Sequence, residues 1–175
     1  QQQADGGWGN PCLPEIRDVP TVAALLALVH YRDQFESAKI VEHGLNFLQR
    51  HHQFWASVPL KDLPVGIELI LPLLVQEAKD YGLAIPTRHY EKLIPIREKK
   101  LAQIAKLQFQ AATPPTFSWE AWGNEPDLKW LDVTGGVGHN PAATVHWLYL
   151  AKGRPELKEA SRNAETFLTR AAEAT

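Results

Sequence analysis

Apolar residues recur at helical spacing along nearly the whole chain. Val22, Leu25, Leu26 and Val29 fall at i, i+3, i+4 and i+7, which places them on one helix face. Asp18 ahead of Val19-Pro20 reads as an N-cap carboxylate with proline in the first turn. Val41, Leu45, Leu48, His52 and Trp55 form a second stripe, with Ser37 as its cap. Ile67, Leu71, Leu74 and Ala78 form a third, opened by Asp62 and Pro64 and closed by Gly82 at a C′ position. Pro72 lies inside that third helix and is expected to kink it. A broken helical stretch follows Thr87, interrupted by Pro95, and a basic run continues to about Lys106. Residues 111–124 carry Pro114 and Pro115 and read as a loop followed by a short helix. Asn140-Pro141 starts a helix that runs through Val145, Leu148 and Leu150 to Gly153, and a last helix begins near Pro155. No stretch alternates with period two for long enough to form a strand, so the expected fold class is all-α, with about seven helices.

A glycine-rich turn feeding a proline-started apolar helix occurs twice. Asp5-Gly6-Gly7-Trp8-Gly9 leads to Pro20-Thr21-Val22-Ala23-Ala24, and Asp132 with Gly135-Gly136-Val137-Gly138 leads to Pro141-Ala142-Ala143-Thr144-Val145. Repetition of this kind points to stacked helix pairs; the alternative is two unrelated loops in a helical protein.

Composition narrows the function classes. The chain has 175 residues, 45% hydrophobic and 22% charged, enough for a single domain with a full core. A net charge of -2 argues against a nucleic-acid binder. One cysteine, Cys12, excludes a disulfide framework, and no Cys/His spacing suits zinc. No apolar run approaches the roughly 18 residues of a membrane span, and without a secretory signal the default location is cytoplasmic. The chain contains no methionine, which is read as the mark of a piece of a longer protein.

Certain residues carry a resemblance to a known family. Gln3-Ala4-Asp5-Gly6-Gly7-Trp8-Gly9 resembles the Gln–Asp–Gly–x–Trp turn of terpenoid cyclases of the squalene–hopene cyclase type. Asp18 to Leu28 looks like the helix after that turn. Gly44, Leu45, Phe47 and Leu48 resemble an "Ile-x-x-Gly-Leu-x-Phe-Leu" helix, and Val65 to Leu74, with Pro72, a "Val-Gly-Phe-Glu-x-x-x-Pro-x-Leu" helix. Asn140-Pro141-Ala142-Ala143-Thr144-Val145 is similar to a "Ser-Pro-Ala-Ala-Thr-Ala" helix start. These stretches follow the order found in class II diterpene cyclases such as the copalyl diphosphate synthases, over roughly residues 3 to 150.

The resemblance implies the γ domain of a βγ or αβγ cyclase, an α-barrel-type domain of paired helices. It implies protonation-initiated cyclisation of geranylgeranyl or farnesyl diphosphate, with the diphosphate retained. The cavity would lie against a β domain, and magnesium would act through the diphosphate. Asp5, Gly6, Trp8, Gly44, Pro72, Asn140 and Pro141 are then motif residues with structural roles. Plant members carry a basic residue ahead of the helix matching Ser118-Trp119-Glu120; an approximate register puts Gln110 there, leaving Lys106 as the diphosphate-contact candidate. The family's acidic metal-associated motif in γ precedes the glycine–tryptophan turn and is not in this chain.

Each candidate has two readings. Trp119, Trp122 and Trp147 are cavity-wall candidates, because aromatic faces stabilise cations; aromatics at helical spacing are also ordinary core. Arg88, Lys92, Arg97, Lys99, Lys100 and Lys106 could draw in a diphosphate or form a solvated face. Glu68 reads as structural. His51-His52 and the pair His139 and His146 have no carboxylate to complete a metal site, so no metal ligands are expected in the segment. The seven aspartates form neither an Asp-x-Asp-Asp nor an Asp-Asp-x-x-Asp run, so no catalytic residue is expected here and the segment alone should be inactive. A non-catalytic helical scaffold or binding module is the alternative.

Overall fold

A computed structural model describes residues 1–34, 37–107, 118–122 and 125–174. The expected loop around Pro114-Pro115, and Gln110, lie outside the described residues. The described residues are helical, as expected, and have no strand; Leu131 and Val137 form one isolated bridge. The α-helices are α1 (Asp18–His30), α2 (Ala38–His51), α3 (Phe54–Ser57), α4 (Ile67–Asp80), α5 (Ile94–Ile104), α6 (Pro141–Ala151) and α7 (Lys158–Glu173). They belong to two compact units, residues 1–100 and 101–175.

In the first unit α1 packs on α2 and α4. Val22, Leu25, Phe47, Leu48, Trp55, Ile67, Leu71, Leu74, Ala78 and Leu93 make its core. The predicted stripe through Trp55 is interrupted: α2 ends at His51, and α3 carries Trp55 into the core as a separate turn. Lys92 caps that turn by donating to the Trp55 and Val58 carbonyls, which a continuing helix would otherwise satisfy. Gly82 closes α4 as predicted: its N–H donates to Lys79 O at 2.9 Å, and the Leu83 N–H to Ala78 O at 2.9 Å. Pro72 lies inside α4, which continues through it to Asp80.

Asp18 does not cap α1. Arg17 holds the N-cap position, and the Asp18 side chain turns into the core. Asn140 does cap α6, its side-chain oxygen accepting from Ala143 N–H at 3.1 Å, with Pro141 following it.

The two glycine-rich turns are built alike. Gly6 has φ +93°, and a Cβ there would lie 2.3 Å from the His43 carbonyl oxygen on α2. Gly135 has φ +84°, and a Cβ would lie 2.7 Å from the Asn163 carbonyl oxygen on α7. The next residues, Gly7 and Gly136, would set a Cβ 2.8 Å from the Phe47 ring and 2.9 Å from the Phe167 ring. Trp8 N–H donates to Thr21 Oγ1 at 2.9 Å, and that hydroxyl donates to Arg17 O at 2.7 Å. Val137 N–H donates to Thr144 Oγ1 at 2.9 Å, and that hydroxyl to Asn140 O at 2.8 Å. In each unit, then, a threonine one turn into one helix holds the turn's backbone, and an aromatic ring from a second helix presses on its glycine.

Gly44 lets helices approach. A Cβ there would lie 2.8 Å from Leu25 and 2.9 Å from Trp8. Gly44→Leu is therefore expected to overpack the α1–α2 contact and to cost at least about 1–3 kcal/mol. An unchanged melting temperature would remove the close-approach explanation.

Candidate functional site

The first unit contains a buried polar centre. Asp18 is 0% exposed. Its Oδ1 lies 2.6 Å from His51 Nδ1, and its Oδ2 accepts from the Tyr90 hydroxyl at 2.6 Å. His51 is sandwiched between Phe47 and Phe54, with ring centroids 4.9 and 5.1 Å away. Burial, reinforced by the Asp18 carboxylate, drives the Tyr90 phenol well above its ordinary pKa and fixes it as a donor. His52 accepts from the His89 backbone N–H at 3.0 Å, and burial holds its imidazole toward the neutral form. Asp5 and Arg17 form a two-pronged ion pair at 2.6 and 2.8 Å above these helices. The Arg17 hydrogen bond lowers the Asp5 carboxyl to about 2. Arg17 also lies over the Phe47 ring, 4.5 Å from its centroid. The geometry is that of a locked structural brace: every polar arm of Asp18 is used within the unit.

The cationic run of the first unit is likewise absorbed in part. Lys92 caps α3 and stands over Trp55, and Lys100 pairs with the buried Glu68 carboxylate. Those are structural uses, as expected for Glu68.

In the second unit Trp119, Trp122, Trp130 and His146 come together. His146 lies 4.9 Å from Trp119 and 5.6 Å from Trp122 between ring centroids, and Trp122 lies 4.3 Å from Trp130. Burial pushes the His146 imidazole toward its neutral form, and Trp119 and Trp122 lie half-buried against the unit's core beside it. Trp119 and Trp122, two of the cavity-wall candidates, thus share one aromatic cluster. Trp147 does not join it. It is 0% exposed, and its indole N–H donates to Asp127 O at 3.0 Å. Full enclosure gives Trp147 a core role in place of a cavity-facing one. Lys106 is exposed beyond the end of α5.

Sequence reasoning missed Asp18, His51 and Tyr90 as a group. They are 33 and 72 residues apart, and no local pattern links them. His146 was noted only for its distance from His139, yet its place on α6 one residue before Trp147 puts it beside Trp119.

Among the described residues no group of three or more His, Cys, Asp or Glu could hold a metal ion. Among the described residues, no helix is long and apolar enough to cross a membrane.

No protein-family model matches the chain. Curated relatives do match. The (+)-kolavenyl diphosphate synthase of Herpetosiphon aurantiacus is 40% identical over 100% of this chain and 36% of its own length. The type B diterpene cyclase of Mycobacterium tuberculosis is 32% identical over 84% of this chain and 32% of its own length. Among solved structures, abietadiene synthase from Abies grandis matches 98% of this chain and 23% of its own, with a TM-score of 0.74 at 21% identity, which shows a shared fold. The chain spans about a third of the length of these curated relatives. Their names agree with the turn and helix motifs read from the sequence, and over its whole length the chain is similar to part of the class II diterpene cyclases.

Proposed function

We propose that this chain is the γ-domain part of a class II diterpene cyclase and forms one wall of its cavity. The observation that carries this reading is the match along the whole chain to a diphosphate synthase of which it covers 36%. The reaction adds a proton to the terminal alkene or epoxide of a linear prenyl diphosphate. Internal double bonds then attack the resulting cation, closing rings, and loss of a proton ends the sequence with the diphosphate ester intact. Geranylgeranyl diphosphate is the first substrate to test and farnesyl diphosphate the second.

The Trp119–Trp122–His146 cluster supports a wall role, because aromatic faces favour a passing cation without capturing it covalently. The acid belongs elsewhere on the polypeptide. Protonating an alkene needs a carboxylic acid poised in a dry cavity, and the closest aspartates here, Asp127 and Asp132, are five positions apart. Magnesium would arrive on the substrate diphosphate, since the described residues offer it no ligand set.

The test is incubation with geranylgeranyl and farnesyl diphosphates plus magnesium. The 175-residue chain alone is expected to give no cyclised product, and a longer polypeptide containing it and a β domain is expected to give a cyclised diphosphate. Product from the chain alone would overturn the wall reading. Absence of product from the longer polypeptide would favour the scaffold alternative.

A further inference from the structure

Two histidines tie a distant turn of the first unit to the end of α2. His52 follows the last residue of α2 and is 8% exposed. Its Nε2 accepts from the His89 backbone N–H at 3.0 Å, across 37 residues of chain. The His89 ring packs on the His52 ring, with centroids 4.4 Å apart and planes inclined by 34°. The next residue, Tyr90, is buried, sets its ring edge-on to His52 at 5.3 Å, and donates its hydroxyl to Asp18. Tyr90 N–H donates to Thr87 O and Leu93 N–H to Tyr90 O, both at 2.9 Å, so residues 87–93 form one folded segment. His52 therefore holds the backbone of the segment one residue before the side chain that reaches the buried carboxylate.

The polarity of that bond fixes the protonation state. A backbone N–H only donates, so Nε2 must carry a lone pair, and the proton of the neutral ring sits on Nδ1. An imidazolium has a donor at each nitrogen. Protonated His52 would set one N–H against another, and the bond would be lost. The surrounding charges act in the same direction. Burial is the first cause that holds the His52 imidazole below its ordinary pKa, with His89 next and Arg88 after it, while Asp18 on α1 works the other way. Asp18 is already engaged by His51 Nδ1 and the Tyr90 hydroxyl. On α2, Arg50 donates to the Asp5 carbonyl. α3 carries no titratable side chain. On α4, Glu68 is paired with Lys100, and the other charged side chains are exposed. In the segment itself Glu91 is exposed, and Lys92 is turned to the Trp55 and Val58 carbonyls.

We infer that His52 and His89 form an acid-released latch: neutral His52 holds residues 87–93 against the first unit, and its protonation makes that segment the first part of the unit to open. Because burial lowers the folded-state value, the ring of the opened segment takes up its proton more readily. The latch is then at full strength above the ordinary value of 6.5 and weakens as pH falls below it, by at most about ten-fold per pH unit for one proton. Opening withdraws Tyr90 from Asp18 and so undoes one arm of the polar centre.

Hydrogen exchange of the 175-residue chain, followed by mass spectrometry, tests this locally. His146 in the second unit is also held toward its neutral form, so a melting curve of the whole chain would mix the two effects. Rates are compared at about pH 7.5 and about pH 5.5, each divided by the intrinsic rate at that pH. Protection of residues 87–93 is expected to fall at least about three-fold toward the lower pH, with a smaller change in α1 and α2. His52→Gln supplies a side-chain carbonyl that accepts from the same N–H and takes up no proton, so most of that fall should vanish. His89→Gln keeps the backbone N–H, removes the neighbouring ring charge, and should show a reduced fall. Circular dichroism melting at the higher pH confirms that each variant folds, and His89→Gln carries the test if His52→Gln does not.

Unchanged protection of the segment in the parent would overturn the latch. An equal fall in His52→Gln, or in His89→Gln where that variant carries the test, would move the titration to His51 or another group and overturn it too. An equal fall across α1 and α2 would replace a local latch with loss of the whole unit. None of these results depends on the proposed cyclase reading, which product formation by the longer polypeptide tests separately.

Discussion

Gly6→Ala is expected to destabilise the first unit by about 2–5 kcal/mol, whereas Gly66→Ala should cost only about 1–2 kcal/mol. The two glycines share a backbone conformation, with φ +93° at Gly6 and +89° at Gly66, so the left-handed strain of an added Cβ is common to both. Their surroundings differ. A Cβ at Gly66 meets nothing within 4 Å, and one at Gly6 falls 2.3 Å from the His43 carbonyl oxygen. That obstacle is backbone of α2, which cannot swing aside as a side chain would. The difference between the two variants therefore isolates the close approach of turn to helix. Urea denaturation followed by tryptophan fluorescence would measure it, and equal losses would show that turn and helix are not in tight contact.

Asp18→Ala should be of similar size, about 3–5 kcal/mol, since it removes one member of a buried polar group and strands the others. The Tyr90 hydroxyl would lose its acceptor in the core, and His51 Nδ1 its partner between Phe47 and Phe54. Asp18→Asn keeps the volume and one acceptor oxygen and should cost less. Tyr90→Phe removes a single buried hydroxyl and should cost about 1–3 kcal/mol. In a double-mutant cycle the Asp18→Ala and Tyr90→Phe losses should fall well short of adding, because both delete the same bond. An Asp18→Ala variant within about 1 kcal/mol of the parent would show that the centre is not a brace.

The helices were legible where the signal is local. The α4 stop at Gly82 and the α6 start at Asn140-Pro141 follow from single residues whose backbone or side-chain chemistry acts within one turn. The α2 stripe was read too far, through Trp55. Its apolar spacing continues across the break at His52 and Gln53, where the carbonyls are satisfied by tighter local bonds, from Trp55 N–H to His52 O at 3.2 Å and from Ala56 N–H to Gln53 O at 3.1 Å. The resemblance to the cyclases was legible because motif order survives in a single sequence. The grouping of Trp119 and Trp122 around His146 was half legible: the tryptophans were marked, but periodicity could not separate them from the enclosed Trp147.

By itself, the sequence determined the all-α class, the α4 stop, the α6 start, the turn motifs and the resemblance to the cyclases. Each depends on residues within a few positions of one another, where backbone sterics and helical period leave few alternatives. Tertiary structure decided which polar residues serve the core and which cations remain available. Asp18 carries the same local cap signal whether it faces solvent or His51, and Lys100 and Lys158 read alike until Glu68 claims the first. Burial and pairing are relations between distant segments: the cost of enclosing a charge is met by whichever partner the fold delivers, and no local pattern records that partner.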